Sequence, residues 1–173
     1  MKKLYLFIYY IFASHLPMQP IPGYKLFYSI RLFLVKRIIL ACGEKVVVKN
    51  KCYFGDGSKL RVGNYSQLGQ NARISGSVQI GDYVMMGPDV VIMAVTHDIS
   101  DTTKPMIDPT NPSIENPVSI GNNVWIGTRV IILPGVSIGS NSIIGSGAVV
   151  TKSFPDNSVI GGVPAKFIKK ENN

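Results

Sequence analysis

The sequence predicts an all-β protein, a parallel β-helix of hexapeptide repeats preceded by a helical segment and interrupted by one protruding loop. Three observations predict it. Aliphatic residues recur every six positions, first as Val62, Leu68, Ile74, Ile80, Met86 and Ile92, then as Ile114, Ile120, Ile126, Ile132, Ile138, Ile144 and Val150. The position four further on is small or β-branched, as at Ser66, Ala72, Val78, Val84, Val124, Val130 and Ala148, with Phe154 departing at the end. The residue after the aliphatic is glycine except at Ser75, Met93, Glu115, Leu133 and Thr151, which are eighteen residues apart save for one interval of twenty-two.

A period of six fits neither the 3.6 of a helix nor plain alternation. It fits a short strand followed by a corner. Positions four apart point to the same side of a strand, and Gly, Asn and Asp tolerate the positive φ of tight corners. Breaks every eighteen residues say that three sides make one coil. Stacked coils then pair backbone to backbone at about 4.8 Å per layer and build a prism of about five coils with covered ends. Upstream in the same phase, Val48, Phe54 and Leu60 take the inward position while Glu44, Asn50 and Asp56 replace the aliphatic, so residues 44–61 read as an imperfect first coil. Residues 98–113, with Pro105, Pro109 and Pro112, read as a sixteen-residue insertion. The organisation is therefore a helical segment over 1–43, a β-helix over 44–168 with its inserted loop, and a tail over 169–173.

Composition bounds the function. The 173 residues are 46% hydrophobic and 16% charged, which excludes a disordered chain. Lys and Arg number 18 against 10 Asp and Glu, a net charge of +8 that suits a phosphate-bearing ligand or an anionic surface. No recognition helix or pattern of stacking aromatics accompanies that charge, so no nucleic-acid partner is expected. Cys42 and Cys52 form no metal or disulfide framework, which fits a reducing compartment. The histidines are His15 and His97 alone, so no three-histidine metal site can be built within the chain and no metal is expected.

A prism filled with Val and Ile leaves chemistry to its faces, corners and loops. His97 stands at the mouth of the insertion, in Thr96-His97-Asp98. It reads either as a satisfied corner residue or as a general base. Asp98 reads as a turn former, an acceptor for the second ring nitrogen, or a substrate contact. No serine or cysteine lies in a nucleophile-elbow pattern, so direct attack on an activated acyl group is expected without an acyl-enzyme.

Residues 120–135 (IGNNVWIGTRVIILPG), 144–152 (IGSGAVVTK) and 157–170 (NSVIGGVPAKFIKK) carry a resemblance. They are similar to the acetyl-CoA-binding end of the maltose, galactoside and nodulation sugar O-acetyltransferases, members of the hexapeptide-repeat acyltransferases. The resemblance implies a left-handed β-helix, a hand opposite to that of ordinary parallel crossovers. It implies acetyl-CoA as co-substrate and His97 as catalytic base. It likewise implies that Trp125 lines the acetyl-transfer pocket, that Thr128 and Ser146 contact the pantetheine arm, that Thr151 and Lys152 lie near the adenine, and that Lys166 and Lys169 approach the CoA phosphates. On the residues alone, the lysines also read as solvated charges and Trp125 as a packing residue at a subunit contact. Gln67 and Asn71 are the acceptor-binding candidates. The implied assembly is a homotrimer with a CoA groove between neighbouring prisms.

Residues 4–13 (LYLFIYYIFA) follow Lys2-Lys3 but lack a small-x-small cleavage site, and ten apolar residues do not span a bilayer. After Pro17, Pro20 and Pro22, residues 24–41 suit a second helix. Together these helices cap the open coil or lie on an anionic membrane surface. The function expected is O-acetylation of a sugar or lipid-linked saccharide in capsule, lipopolysaccharide or exopolysaccharide assembly. It is expected in the cytoplasm, at or near the inner face of the membrane. Another acceptor (an antibiotic hydroxyl, serine or a sugar-nucleotide amine) and a non-catalytic scaffold are the alternatives.

Overall fold

A computed structural model describes residues 1–98 and 112–170, with Pro105 and Ile107 between them. Most of the expected insertion, including Pro109, and residues 171–173 of the tail lie outside the described residues, as do the side chains of Lys169 and Lys170. The chain is a left-handed parallel β-helix of about six coils behind two helices.

Three faces run the length of the prism. Side A stacks Ala41–Cys42, Leu60–Val62, Val78–Ile80, Val118–Ile120 and Ser137–Ile138 in parallel. Side B carries Val47–Val48, Gln67–Leu68, Met85–Met86, Trp125–Ile126, Ile143–Ile144 and Ser158–Gly161. Side C carries Arg73–Ser75, Val91–Met93, Ile131–Ile132 and Val149–Val150. The aliphatics of every side point inward: Leu68, Ile74, Ile80, Met86, Ile92, Ile120, Ile126, Ile132 and Ile144 are at most 2% exposed.

The corner glycines have a different cause from the expected one. Gly63, Gly81, Gly121 and Gly139 are not among the residues with positive φ. That conformation falls two residues later, at Lys45, Tyr65, Tyr83, Asn123, Asn141 and Asn157, with φ of 51–59°. What demands glycine is the next coil. A Cβ on Gly63 would stand 2.3 Å from Asp82 Oδ1 and 2.5 Å from the Gly81 carbonyl carbon, and one on Gly139 2.2 Å from the Asp156 nitrogen. The same closeness lets each coil cap its neighbour. The amides of Glu44, Asn64, Asp82, Asn122 and Ser140 donate in turn to the side chains of Asn64, Asp82, Asn122, Ser140 and Asp156, at 2.6–3.1 Å. On the positive-φ column beside them the Tyr65 and Tyr83 rings stack at 5.1 Å, with the Lys45 ammonium 5.0 Å above Tyr65.

Coil length departs from eighteen at one corner only, between sides C and A, and three expectations change there. Cys42 pairs with Val62 and Val48 with Leu68, twenty residues apart, because five residues rather than three join Phe54 to Leu60. The first coil is therefore regular but shifted by two: Val48 and Phe54 hold the aliphatic slots assigned to Asn50 and Asp56. At the other end Ile138 pairs with Phe154, sixteen residues on, so Phe154 fills an aliphatic slot in a coil two residues short. Val78 pairs with Val118, forty residues apart, which makes the insertion twenty-two residues rather than sixteen. Thr96 and Ile114, expected inside, are both exposed on it.

The ends are closed. Helix α1 (Lys2–Ile11), a 3₁₀ turn (Ala13–His15) and helix α2 (Tyr24–Ile38) cover the first coil. The Tyr9 hydroxyl donates to the Cys52 carbonyl at 2.9 Å and that of Tyr10 to the Gly55 carbonyl at 2.7 Å. Arg31 is fully buried and, among the described residues, forms no ion pair. Its guanidinium donates to the carbonyls of Val48 and Leu16 at 2.8 Å, and of Ala13 and Pro17 at 3.4 Å, under the Tyr28 ring. Carbonyl dipoles thus replace lost hydration and tie helix, turn and coil together. At the far end Lys166–Lys170 folds back antiparallel on Ser158–Gly161, and Phe167 packs edge-on against Phe154.

Substituting Gly63→Ala puts a methyl against both the Asp82 carboxylate and the Gly81 backbone of the next coil, and the backbone cannot yield as a side chain can. It should cost about 1–3 kcal/mol by denaturant unfolding, the range for overpacking. Burial pushes the Cys52 thiol up to about 12. The unfolded thiol ionises near pH 8.5, so the unfolded state binds fewer protons above that pH and stability must decline as pH rises from there toward 12. Thermal melts between pH 7.5 and 10.5 should show that decline, shallower in Cys52→Ala.

Candidate active site

The insertion leaves the prism as an antiparallel ribbon, Val95–His97 against Ser113–Glu115, with His97 opposite Ser113 and the Asp98 amide donating to the Pro112 carbonyl at 3.0 Å. His97 is exposed and Asp98 half-buried. The base of the ribbon is anchored from the coil. Ala94 donates to the Ser75 carbonyl and Asn116 to that of Ala94, both at 2.8 Å. Val95 lies over Gly76, where a Cβ would come within 2.6 Å of the valine methyl. Lys59 and Glu115 form an ion pair at 2.5 Å, and the hydrogen bond from Lys59 holds the Glu115 carboxyl below its ordinary range. Neither residue is visible as a partner in the sequence, since fifty-six positions separate them and no period joins them.

Trp125 stands outward on side B, 49% exposed, between Met85 on the preceding coil and Ile143 on the next. These three residues line a shallow groove of about 260 Å³ with Tyr83, Asn123 and Asn141. Gln67 lies on the same side one coil nearer the N-terminus than Met85, and its amide nitrogen donates to the Met86 carbonyl at 2.7 Å. Asn71 belongs to the corner between sides B and C and donates to Asp89 at 2.9 Å, so part of its polar capacity is already used within the coil stack.

Thr128 and Ser146 come together. They occupy that same corner on successive coils, and the Ser146 hydroxyl accepts the Thr128 amide at 3.1 Å. Gly147 beside them faces open space. Thr151 and Lys152 are exposed at the other end of side C, and the Lys152 ammonium is 5.8 Å from the Phe154 ring. Lys166 is exposed on the returning strand opposite Gly161, and the backbone of Lys169 pairs with Val159. No group of three or more metal-ligating side chains occurs among the described residues.

The candidate residues stand on separate parts of the prism. The ribbon that carries His97 springs from the corner between sides C and A, the edge of the prism opposite side B. Trp125 and Gln67 sit on side B. A single prism does not bring the histidine to the tryptophan.

Comparison with known proteins agrees with this architecture. Residues 117–152 match the model of the bacterial transferase hexapeptide (six repeats). Galactoside O-acetyltransferase of Escherichia coli K12 is 37% identical over 142 residues, covering 81% of this chain and 68% of that protein. A putative lipopolysaccharide biosynthesis O-acetyl transferase, WbbJ, of the same organism is 31% identical over 156 positions, 73% of this chain and 80% of that protein. A galactoside acetyltransferase solved in complex with coenzyme A superposes with a TM-score of 0.75 at 31% identity, over 99% of this chain and 79% of that chain.

Neutralising Glu115 as Glu115→Gln should loosen the ribbon without touching the coils. Hydrogen exchange at Val95–His97 should quicken several-fold while the melting temperature holds, as befits a solvent-exposed pair. Because pairing depresses the carboxyl pKa, the wild-type anchor is present above the ordinary carboxylate range and is lost as pH falls through the depressed value.

Proposed function

This chain belongs to the hexapeptide-repeat acetyltransferases, and we propose that it is a sugar O-acetyltransferase of surface-polysaccharide assembly that uses His97 as general base. The observation that carries the reading is the ribbon. Among the described residues, the largest irregularity in an otherwise uniform solenoid presents an exposed imidazole, and it is anchored at its root by an ion pair and two backbone hydrogen bonds.

Acetyl-CoA, when bound, supplies the acetyl group as a thioester. The residues at the corner of sides B and C fit an extended, amide-bearing arm, because Thr128 and Ser146 offer hydroxyls beside Gly147, where no side chain crowds the surface. Lys152 and Lys166 are exposed cations suited to phosphate. His97 takes the proton of the acceptor hydroxyl as that oxygen bonds to the acyl carbon. As the C–S bond breaks, the imidazolium returns the proton to the departing sulfur, so the ring ends as it began. Trp125 gives the groove on side B an apolar wall, and Gln67 and Asp98 are polar groups for the acceptor.

The separation of His97 from side B calls for a second copy. A closed threefold arrangement sets the ribbon of one prism against side B of the next and makes three equal sites. The acceptor assignment rests on relatives whose names specify galactosides and lipopolysaccharide. A cytoplasmic site of action follows from the supply of acetyl-CoA.

Thiol release from acetyl-CoA with a panel of sugars, sugar nucleotides and lipid-linked saccharides tests this reading. Wild type should show acceptor-dependent release, and His97→Ala should lose about a hundredfold or more of it. Undiminished turnover in His97→Ala removes the base, absence of release with every saccharide removes the acceptor class, and a monomer by sedimentation removes the shared site.

A further inference from the structure

Beyond Lys2 and Lys3, helix α1 is apolar or aromatic all round, and the prism uses one side of it. Tyr9 and Ala13 are fully buried, with Tyr5, Leu6 and Tyr10 packed beside them, so the inward face is the tyrosine-rich one whose hydroxyls reach the coil backbone. The opposite face carries Leu4, Phe7, Ile8 and Ile11, spaced i, i+3, i+4 and i+7, the pattern that ordinarily marks a buried stripe. Here it faces outward. Leu4 is 59% exposed, Phe7 64% and Ile11 67%. Leu26 and Phe33 of α2, and Phe12 and Leu40 in the segments just after α1 and α2, are exposed as well.

Charge says what covers the surface. Residues 1–43 hold six of the 18 lysines and arginines and none of the 10 acids, so the remaining 130 residues carry only +2 of the net +8. Arg31 is buried, but Lys3, Lys25, Lys36 and Arg37 are exposed around the apolar residues, and Arg37 bridges the helices by lying over Phe33 at 3.6 Å and near Tyr5 at 5.8 Å. No helix among the described residues is long and apolar enough to cross a membrane. An apolar stripe edged by cations without acids is complementary to a lipid interface bearing negative charge, where apolar side chains enter the acyl boundary and ammonium groups meet phosphates.

We infer that the outer face of the helical cap docks the protein on an anionic phospholipid surface, with the Leu4, Phe7, Ile8 and Ile11 stripe inserted and Lys2, Lys3, Lys25 and Lys36 at headgroup level. The catalytic ribbon and side B belong to the prism, so docking through its capped end leaves them free. Rationally, this presents the transferase to saccharides carried on lipid, and that consequence alone rests on the function proposed above.

Flotation of the full-length protein with phosphatidylcholine vesicles, with and without phosphatidylglycerol, tests the surface without any acceptor or cofactor. A failure of the acetyl-transfer reading therefore leaves this result untouched. Wild type should float with the anionic vesicles, weakly with neutral ones, and less as salt rises. Phe7→Glu/Ile11→Glu should abolish flotation, with circular dichroism confirming the fold. Lys3→Gln and Lys25→Gln, which leave the stripe intact, should each lower partitioning about fivefold. No flotation of wild type overturns the proposal. So does unchanged partitioning of a folded Phe7→Glu/Ile11→Glu whose sedimentation shows a smaller assembly, which would assign the stripe to contacts between copies.

Discussion

The spacing of one coil above the next governs this molecule. Parallel strands about 4.8 Å apart allow no side chain at the point where successive corners pass. Gly63, Gly81, Gly121 and Gly139 answer that demand, and the same closeness carries each corner amide onto a side chain of the following coil. Stacking also dictates the interior. A side chain that points inward meets the same slot one coil above and below, so the slots take aliphatics of similar volume and the prism fills without long-range design. Stability of such an array is a sum over neighbours, and its two ends become the only places where apolar surface needs separate cover.

That uniformity explains where function can arise. A coil whose residues are fixed by those above and below has little freedom except in the length of a corner. All three length changes occur between sides C and A: two residues gained in the first coil, twenty-two gained in the middle and two lost near the end. The largest becomes the ribbon that carries His97. Its support comes from neighbouring coils, from the Lys59 side chain and from the room that Gly76 leaves for Val95, residues whose importance to the ribbon is purely spatial. The edge from which it leaves lies opposite the side that bears Trp125, which makes the chain's own geometry an argument for assembly.

The N-terminal cap solves the end problem in an unusual way. To the apolar seal of Leu34, Val35 and Ile38 it adds hydrogen bonds from Tyr9, Tyr10 and Arg31 to carbonyls of the coil and its approach. The polar tips face the open strand edge, which needs donors, and Leu4, Phe7, Ile8 and Ile11 of α1 are left on the outside. Capping and surface attachment, alternatives from the sequence, are thus compatible uses of opposite faces of one helix.

Periodicity made the solenoid, its three-sided coil and the exceptional position of His97 legible from the residues alone, because a repeated slot imposes the same residue type each time. It misplaced what breaks the period. Val48, Phe54 and Phe154 fill aliphatic slots that a fixed count of six assigns elsewhere, since a corner that gains or loses two residues shifts the phase while keeping every inward side chain inward. Thr96 and Ile114 fit the count yet lie outside, because an antiparallel ribbon tolerates them there. The repeat, the core and the existence of an insertion are local consequences of composition at fixed spacing and can be read from the residues. The extent of the insertion, the corner that bears it, the hold of Lys59 on its root and the placing of the histidine and the tryptophan on opposite parts of the prism emerge in three dimensions, because those relations join residues that no period connects.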